Sequence, residues 1–269
     1  MPHFSDATAC TRTGAGDYKG AIQQGWDIAG NANGGYLMSL AARGLCDHSG
    51  RPDPVSITAH YLKPGRPGPV ALRCETIKAG RTFTTARGTL HDADDKPLLT
   101  LLGTFGDLSV PMNEVRRLPG APDVTPLEEC TRHAGHALAE SELPTFHRQV
   151  ELRLDPRDAG FLNNSPSGEA RMRGWFRLLD GEPMDTLAVL TALDAFPPTI
   201  FNANLPVAWT PTVELTAHVR ARPPTGWVKA QFTSRFISGG MLEEDGELWT
   251  EDGELIALSR QLALLPKAG

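Results

Sequence analysis

The chain is poor in several things that would otherwise define it. Its four cysteines, Cys10, Cys46, Cys74 and Cys130, stand far apart in 269 residues, with no C-x-x-C spacing. Such spacing builds neither a zinc site nor a disulfide framework, and it points to reduced thiols in the cytoplasm. There is no basic excess. The net charge of −6 argues against nucleic acid as a partner, because phosphate binding wants a positive surface. No run approaches the roughly 18 consecutive apolar residues of a membrane-spanning helix, so no membrane partner is expected. The opening Met1-Pro2-His3-Phe4-Ser5-Asp6 has no basic segment leading into an apolar one, unlike a secretion signal. No G-x-S-x-G nucleophile elbow occurs; Asn163-Asn164-Ser165-Pro166-Ser167-Gly168 reads as a loop. His133-x-x-His136 has too few neighbouring ligands for zinc and reads as solvated residues, so no metal and no cofactor is expected. The glycines of 14–20 lack both the spacing and the preceding strand of a phosphate loop.

What is present is a repeat. Val55-Ser56-Ile57-Thr58-Ala59-His60 returns as Val213-Glu214-Leu215-Thr216-Ala217-His218, and each copy alternates like a half-buried strand. The flanking elements repeat too. After a polar arm over 1–16, read as loosely held, a strand over 18–28 leads to Asn33, a plausible N-cap, and Gly34-Gly35. A helix over 36–46 then places Leu37, Leu40, Ala41 and Gly44 on one stripe. Strands follow over 55–62, 70–77, 82–91 and 97–105. Residues 107–144 read as a surface linker with a short helical stretch near 126–141, long enough to join two domains, 1–106 and 145–269. The order then restarts: strands over 146–154 and 172–179, a helix with Pro183 in its first turn running to Asp194, and strands over 212–219, 227–236, 241–249 and 255–264. One central helix wrapped by a curved antiparallel sheet, twice over, is an α+β tandem (double) hot-dog, with the two sheets joined edge to edge into one.

Asp194 is the residue whose placement suggests chemistry. It falls at i+7 from Leu187 on the apolar stripe, and at a helix C-terminus whose dipole disfavours negative charge. Both placements raise a carboxyl pKa and suit a general base. If the helix ends earlier, Asp194 is instead a solvated residue before Pro197.

Asn33-Gly34-Gly35-Tyr36, Tyr61-Leu62-Lys63-Pro64-Gly65, Leu193-Asp194 and Ser259-Arg260-Gln261, taken in order, resemble the bacterial type II (TesB-like) acyl-CoA thioesterases and related double hot-dog proteins. The resemblance spans about residues 25–265. It implies hydrolysis of an acyl-CoA or related acyl thioester by a homo-oligomer without a cofactor, with the attacking water held by Asp194, Thr212 and Gln261. Strand alternation places Thr212 on a face with Glu214, Thr216 and His218, which makes Glu214 a substitute base. Gly34, Gly35 and Tyr36, at an open helix start, are the candidates for oxyanion and substrate contacts. The first half keeps this open helix start but lacks the Asp–Thr–Gln set: its acid near the helix end is Asp47, and Gly103 stands where the second half has Gln261.

His60 and His218, repeated, read as architecture rather than as a catalytic pair. Arg171, Arg173 and Arg177 either meet coenzyme A phosphates or form a solvated strand face. Trp26, Trp175 and Trp209 either line an acyl pocket or fill core. Two alternatives stand beside the hydrolase. One is another hot-dog enzyme, a hydratase, dehydratase or acyl transferase, although residues 31–36 lack the His–Asp pair of such hydratases. The other is a non-catalytic binder of acyl thioesters.

Overall fold

The computed structural model describes residues 3–110, 113, 117–133 and 144–266. The first half runs α1 (Phe4–Ala7), β1 (Cys10–Arg12), β2 (Asp17–Ile22), β3 (Asp27–Ile28), β4 (Asn31–Ala32), α2 (Gly34–Ser49), β5 (Asp53–Tyr61), β6 (Gly68–Ala79), β7 (Thr84–His91) and β8 (Pro97–Gly106). The second half runs β9 (Thr131–Arg132), β10 (Val150–Leu154), β11 (Arg171–Leu178), α3 (Thr186–Ala192), β12 (Thr212–Val219), β13 (Val228–Thr233), β14 (Ile237–Ser238), β15 (Met241–Trp249) and β16 (Leu255–Leu264). All but β3 and β4 join one antiparallel sheet, in the order β1-β2-β6-β7-β8-β5-β12-β16-β15-β13-β11-β10-β9, with β14 paired to β15. The fold is α+β, dominated by this sheet.

The repeated hexapeptides meet at the seam. β5 pairs with β12 so that Thr58 faces Thr216, flanked by Ala59↔Leu215 and Ile57↔Ala217. The two threonine hydroxyls lie 2.8 Å apart, and the residues are 158 positions apart in sequence. Inward-facing Ile57, Ala59, Leu215 and Ala217 are fully buried, whereas His60 and His218 are exposed on the outer face. The repeat therefore builds the join, and its histidines do not line the cavity.

Both helices lie under the sheet, side by side and antiparallel. Asn33 caps α2 by accepting from Tyr36 N, and Gly50 (φ 66°) closes it in the left-handed conformation. Leu37, Met38, Leu40 and Leu45 of α2 are at most 2% exposed, each contributing roughly 1.5–3 kcal/mol by burial. Close helix approach depends on Gly35, where a Cβ would stand 2.7 Å from Leu190 O and 2.9 Å from the Asp194 Cβ. Ser39 Oγ then sits within hydrogen-bond range of Leu187 O (2.8 Å) and Thr191 Oγ1 (2.9 Å) across the interface.

Three expectations fail here. The N-terminal arm is not loose: Phe4 packs 5.6 Å from the Trp26 ring, its N–H donates to Asp180, and β1 pairs with β2. An aromatic buried to 2% exposure anchors the segment, which polar composition alone concealed. Pro183 lies outside the second helix, which begins later and is capped by Asp185, whose Oδ1 accepts from Leu187 N and Ala188 N. Within 126–133 there is no α-helix but a 3₁₀ turn, Leu127–Glu129, and the edge strand β9, paired with β10; residues 134–141 of the expected helix lie outside the described residues. Around it, Val124 and Cys130 cover Trp175, whose Nε1 donates to Thr125 O.

Candidate active site

A cavity of about 640 Å³ opens between the start of α2, the end of α3, and the strands β12, β16 and β15. Leu37, Phe196, Phe201 and Trp209 make its wall largely apolar, and Asp194, Thr212, Gln261 and Glu244 are among its few polar lining groups. This size and lining suit a small-molecule ligand with an apolar portion.

Asp194 enters from beyond α3, which ends at Ala192 with Leu193 as its C-cap. Because the helices are antiparallel, its carboxylate meets the N-terminus of α2 rather than staying within its own half. Its Oδ2 accepts from Gly35 N (2.8 Å) and Asn33 Nδ2 (3.1 Å), while the same Asn33 amide also donates to Asp194 O (2.8 Å). Asn33 thus serves twice, capping α2 through Oδ1 and orienting Asp194 through Nδ2. The expected dipole effect has the opposite sign here: the α2 N-terminus favours the anion. Burial nevertheless outweighs these bonds and pushes the Asp194 carboxyl up to about 6.

The amides expected to meet an oxyanion are engaged. Gly35 N holds Asp194, and Tyr36 N holds Asn33 Oδ1. Tyr36 turns its ring into the core, stacked 4.8 Å from Trp26, and its hydroxyl bonds Ala7 O and Gln23 N. Gly34 lines the cavity, with its carbonyl accepting from Tyr61 Oη at 2.9 Å. Gly34 and Gly35 serve here to let Asp194 and Tyr61 approach, since a Cβ on Gly34 would lie 2.9 Å from Asp194 Oδ2.

Thr212 and Gln261 come together: Gln261 Nε2 donates to Thr212 Oγ1 at 2.7 Å. Simple alternation in β12 does not explain this. A β-bulge between Thr212 and Glu214 shifts the register, so Thr212 pairs with Ala263, Glu214 with Leu262 and Leu215 with Gln261. The extra residue puts Thr212 on the inward face with Leu215, opposite to Glu214, Thr216 and His218. Glu214, expected as a substitute base, instead accepts from Thr216 and does not line the cavity.

Glu244 was not expected. It sits on the inward parity of β15 with buried Leu242 and Leu248, directly across from Gln261, and accepts from Thr199 N at 2.9 Å. Burial pushes its carboxyl up to about 7, and the charge of Asp194 adds to the rise. The signal in the sequence was a carboxylate at an otherwise apolar alternation.

The remaining candidates fall elsewhere. Arg173 is buried against Asp158 (2.6 Å), whereas Arg177, paired with Glu151, and Arg171, paired with Glu169 (2.6 Å), keep partly solvated side chains; none of the three lines the cavity. Of the three tryptophans only Trp209 lines the cavity; Trp26 and Trp175 are core. His133 is not solvated. It lines the cavity with its ring 4.7 Å from that of His147, and burial pushes it down to about 3; His136 lies outside the described residues. The one triple of potential metal ligands among the described residues, His3, Asp180 and Glu182, does not line the cavity.

Comparison with known proteins converges on one group. Residues 22–106 match a family model described as the acyl-CoA thioesterase N-terminal domain, and residues 122–265 match the corresponding C-terminal domain. The fold is similar to a candidate thioesterase II of Thermobifida fusca YX, with 30% identity, 99% of each chain covered and a TM-score of 0.88. It is also similar to a hot-dog protein of unknown function from Alicyclobacillus acidocaldarius, with 21% identity, all of both chains covered and a TM-score of 0.87. Among curated proteins, the thioesterase-like protein TwmA of Talaromyces wortmannii is 26% identical over 97% of this chain and 91% of its own.

Proposed function

The chain belongs to the acyl-CoA thioesterase family and is a thioester hydrolase, and we propose that it cleaves acyl-CoA by direct attack of a water activated by Asp194. The observation that carries this reading is that Asp194, Thr212 and Gln261 line one cavity, with Asp194 fixed by Asn33 and Gly35 and with Gln261 fixed by Thr212. The architecture is read as two hot-dog units, one per half, sharing the β5–β12 seam, with 107–144 as their connection.

In this mechanism the acyl chain occupies the apolar wall of Leu37, Phe196, Phe201 and Trp209. A water with two hydrogens needs two acceptors if its lone pair is to face the thioester carbon. Asp194 supplies one and takes that proton during attack. Because Gln261 Nε2 is committed to Thr212, its Oε1 is left to accept the other hydrogen. Thr212 therefore acts by fixing which end of the Gln261 amide meets the water. The tetrahedral intermediate collapses with cleavage of the bond to the coenzyme A sulfur, so no covalent acyl-enzyme is needed. Base catalysis requires ionised Asp194, so activity rises with pH through about 6.

The test is release of free thiol from acyl-CoAs of graded chain length. Wild type is expected to turn over part of the series, and Asp194→Asn to lose roughly 10²–10⁴-fold in kcat. An inert wild type that binds acyl-CoA would make the chain a non-catalytic binder; an Asp194→Asn variant with full activity would remove Asp194 as the base.

A further inference from the structure

We propose that Glu244 is the general acid of this site, giving its proton to the sulfur of the departing thiol; this rests on the hydrolytic reading above. Three strands present the polar groups in a row across the cavity floor: Thr212 on β12, Gln261 on β16 and Glu244 on β15. Glu244 and Gln261 are direct cross-strand partners, which sets their Cβ atoms about 4.5–5.5 Å apart. A water held by Gln261 attacks a carbon about 3–3.5 Å away, and the sulfur lies one bond beyond, within reach of a carboxyl on the next strand.

No residue other than Thr199 hydrogen-bonds Glu244 among the described residues, so the carboxyl keeps an edge toward the cavity. Capping the turn at Thr199–Asn202 does not demand an acid, since any side-chain carbonyl would accept from Thr199 N. In the first half the register-equivalent position, opposite Gly103, is Ala86, fully buried. The fold therefore does not need a carboxylate there.

The protons balance. As the water oxygen bonds to the carbonyl carbon, Asp194 takes the water proton; as the C–S bond breaks, Glu244 protonates sulfur. This leaves neutral Asp194 and ionised Glu244. Passage of that proton from Asp194 back to Glu244, through water, resets the site; burial raises both carboxyls, Glu244 to about 7 and Asp194 to about 6. Pairs of acids pushed apart by their surroundings divide the acid and base roles in this way.

A leaving-group series tests the assignment, using thioesters of one acyl group with thiols ranging from coenzyme A and N-acetylcysteamine to thiophenol. An alkyl thiolate gains from protonation on departure, and an aryl thiolate gains little. Glu244→Gln, which still accepts from Thr199 N, is expected to lose about 100-fold in kcat with the alkyl thiols. The loss should shrink steadily as the thiol becomes more acidic. Should the Gln variant melt early, Glu244→Ala, which copies Ala86, is expected to give the same steepening. A loss equal across all leaving groups, or no loss, overturns the proposal. If wild type cleaves the series and Asp194→Asn is inert while Glu244→Gln shows no slope, this inference alone fails. If wild type cleaves nothing, the hydrolytic reading fails and takes it along.

Discussion

The two halves of the chain share strand order and a 158-residue offset, yet only one carries the polar set of the cavity. At equivalent positions, Thr212, Glu244, Gln261 and Ala263 of the second half stand against Pro54, Ala86, Gly103 and Phe105 of the first. Three polar groups are replaced by residues that cannot donate or accept through a side chain. The fourth exchange supplies the space: the Phe105 ring lies 3.0 Å from where a Cβ on Gly103 would be, filling the volume that small Ala263 leaves open beside Gln261. The acids contrast as well. Asp47, near the end of α2, is on the surface, and its carboxyl is held down by the Tyr18 hydroxyl (2.7 Å) and Arg12. Asp194 is raised by burial. Each half keeps the fold, but the first has been packed shut. Symmetry is kept where the sheet must join and broken where chemistry is read.

After Asp194 itself, the contrast is broken most strongly at Gln261. Gln261→Ala, which removes the water's second acceptor, is expected to lower kcat about 100-fold with little change in KM, whereas Gly103→Ala should affect melting temperature alone. The next effect is on stability. Asp194 has a folded pKa above its unfolded one, so its penalty is absent below the unfolded value of 3.8 and complete once pH has risen past about 6. Asp194→Asn is therefore expected to stabilise the fold by about 1–3 kcal/mol at pH 7.5, with the gain fading toward pH 3.5, as followed by urea unfolding at both pH values. Loss of activity with gain of stability is the expected signature of a functional carboxylate. Ala263→Phe rebuilds the first half's plug in the second and should cost about tenfold in kcat/KM, more for long acyl chains than short ones, because one methylene is worth at least about 1 kcal/mol in such a pocket. The smallest effect is expected at the seam. Thr216→Val removes its hydrogen bonds to Thr58 and to Glu214 and should cost about 1 kcal/mol in unfolding, with kcat unchanged.

Much of this was legible in the sequence because it is local. Alternation around Thr58 and Thr216 gave the seam strand of each half, and Asn33 the start of α2. The same local logic misled where one residue changes a register. The bulge at Thr212–Glu214 reverses parity, so counting along β12 puts Thr212 with Glu214 when it faces Gln261. Asp194 was found by its helical stripe, yet its partners Asn33 and Gly35 are about 160 residues away and are set by the antiparallel packing of two helices. The Phe4 anchor and the inward turn of Glu244 depend likewise on contacts between distant segments.

The claim that only the second half performs the chemistry is tested most directly by a paired substitution, Asp194→Asn and Asp47→Asn, each measured for thiol release from one acyl-CoA that wild type hydrolyses. The expected result is a loss of at least about 100-fold for Asp194→Asn and a rate within about twofold of wild type for Asp47→Asn. A comparable loss in both, or an active Asp194→Asn, would contradict the account.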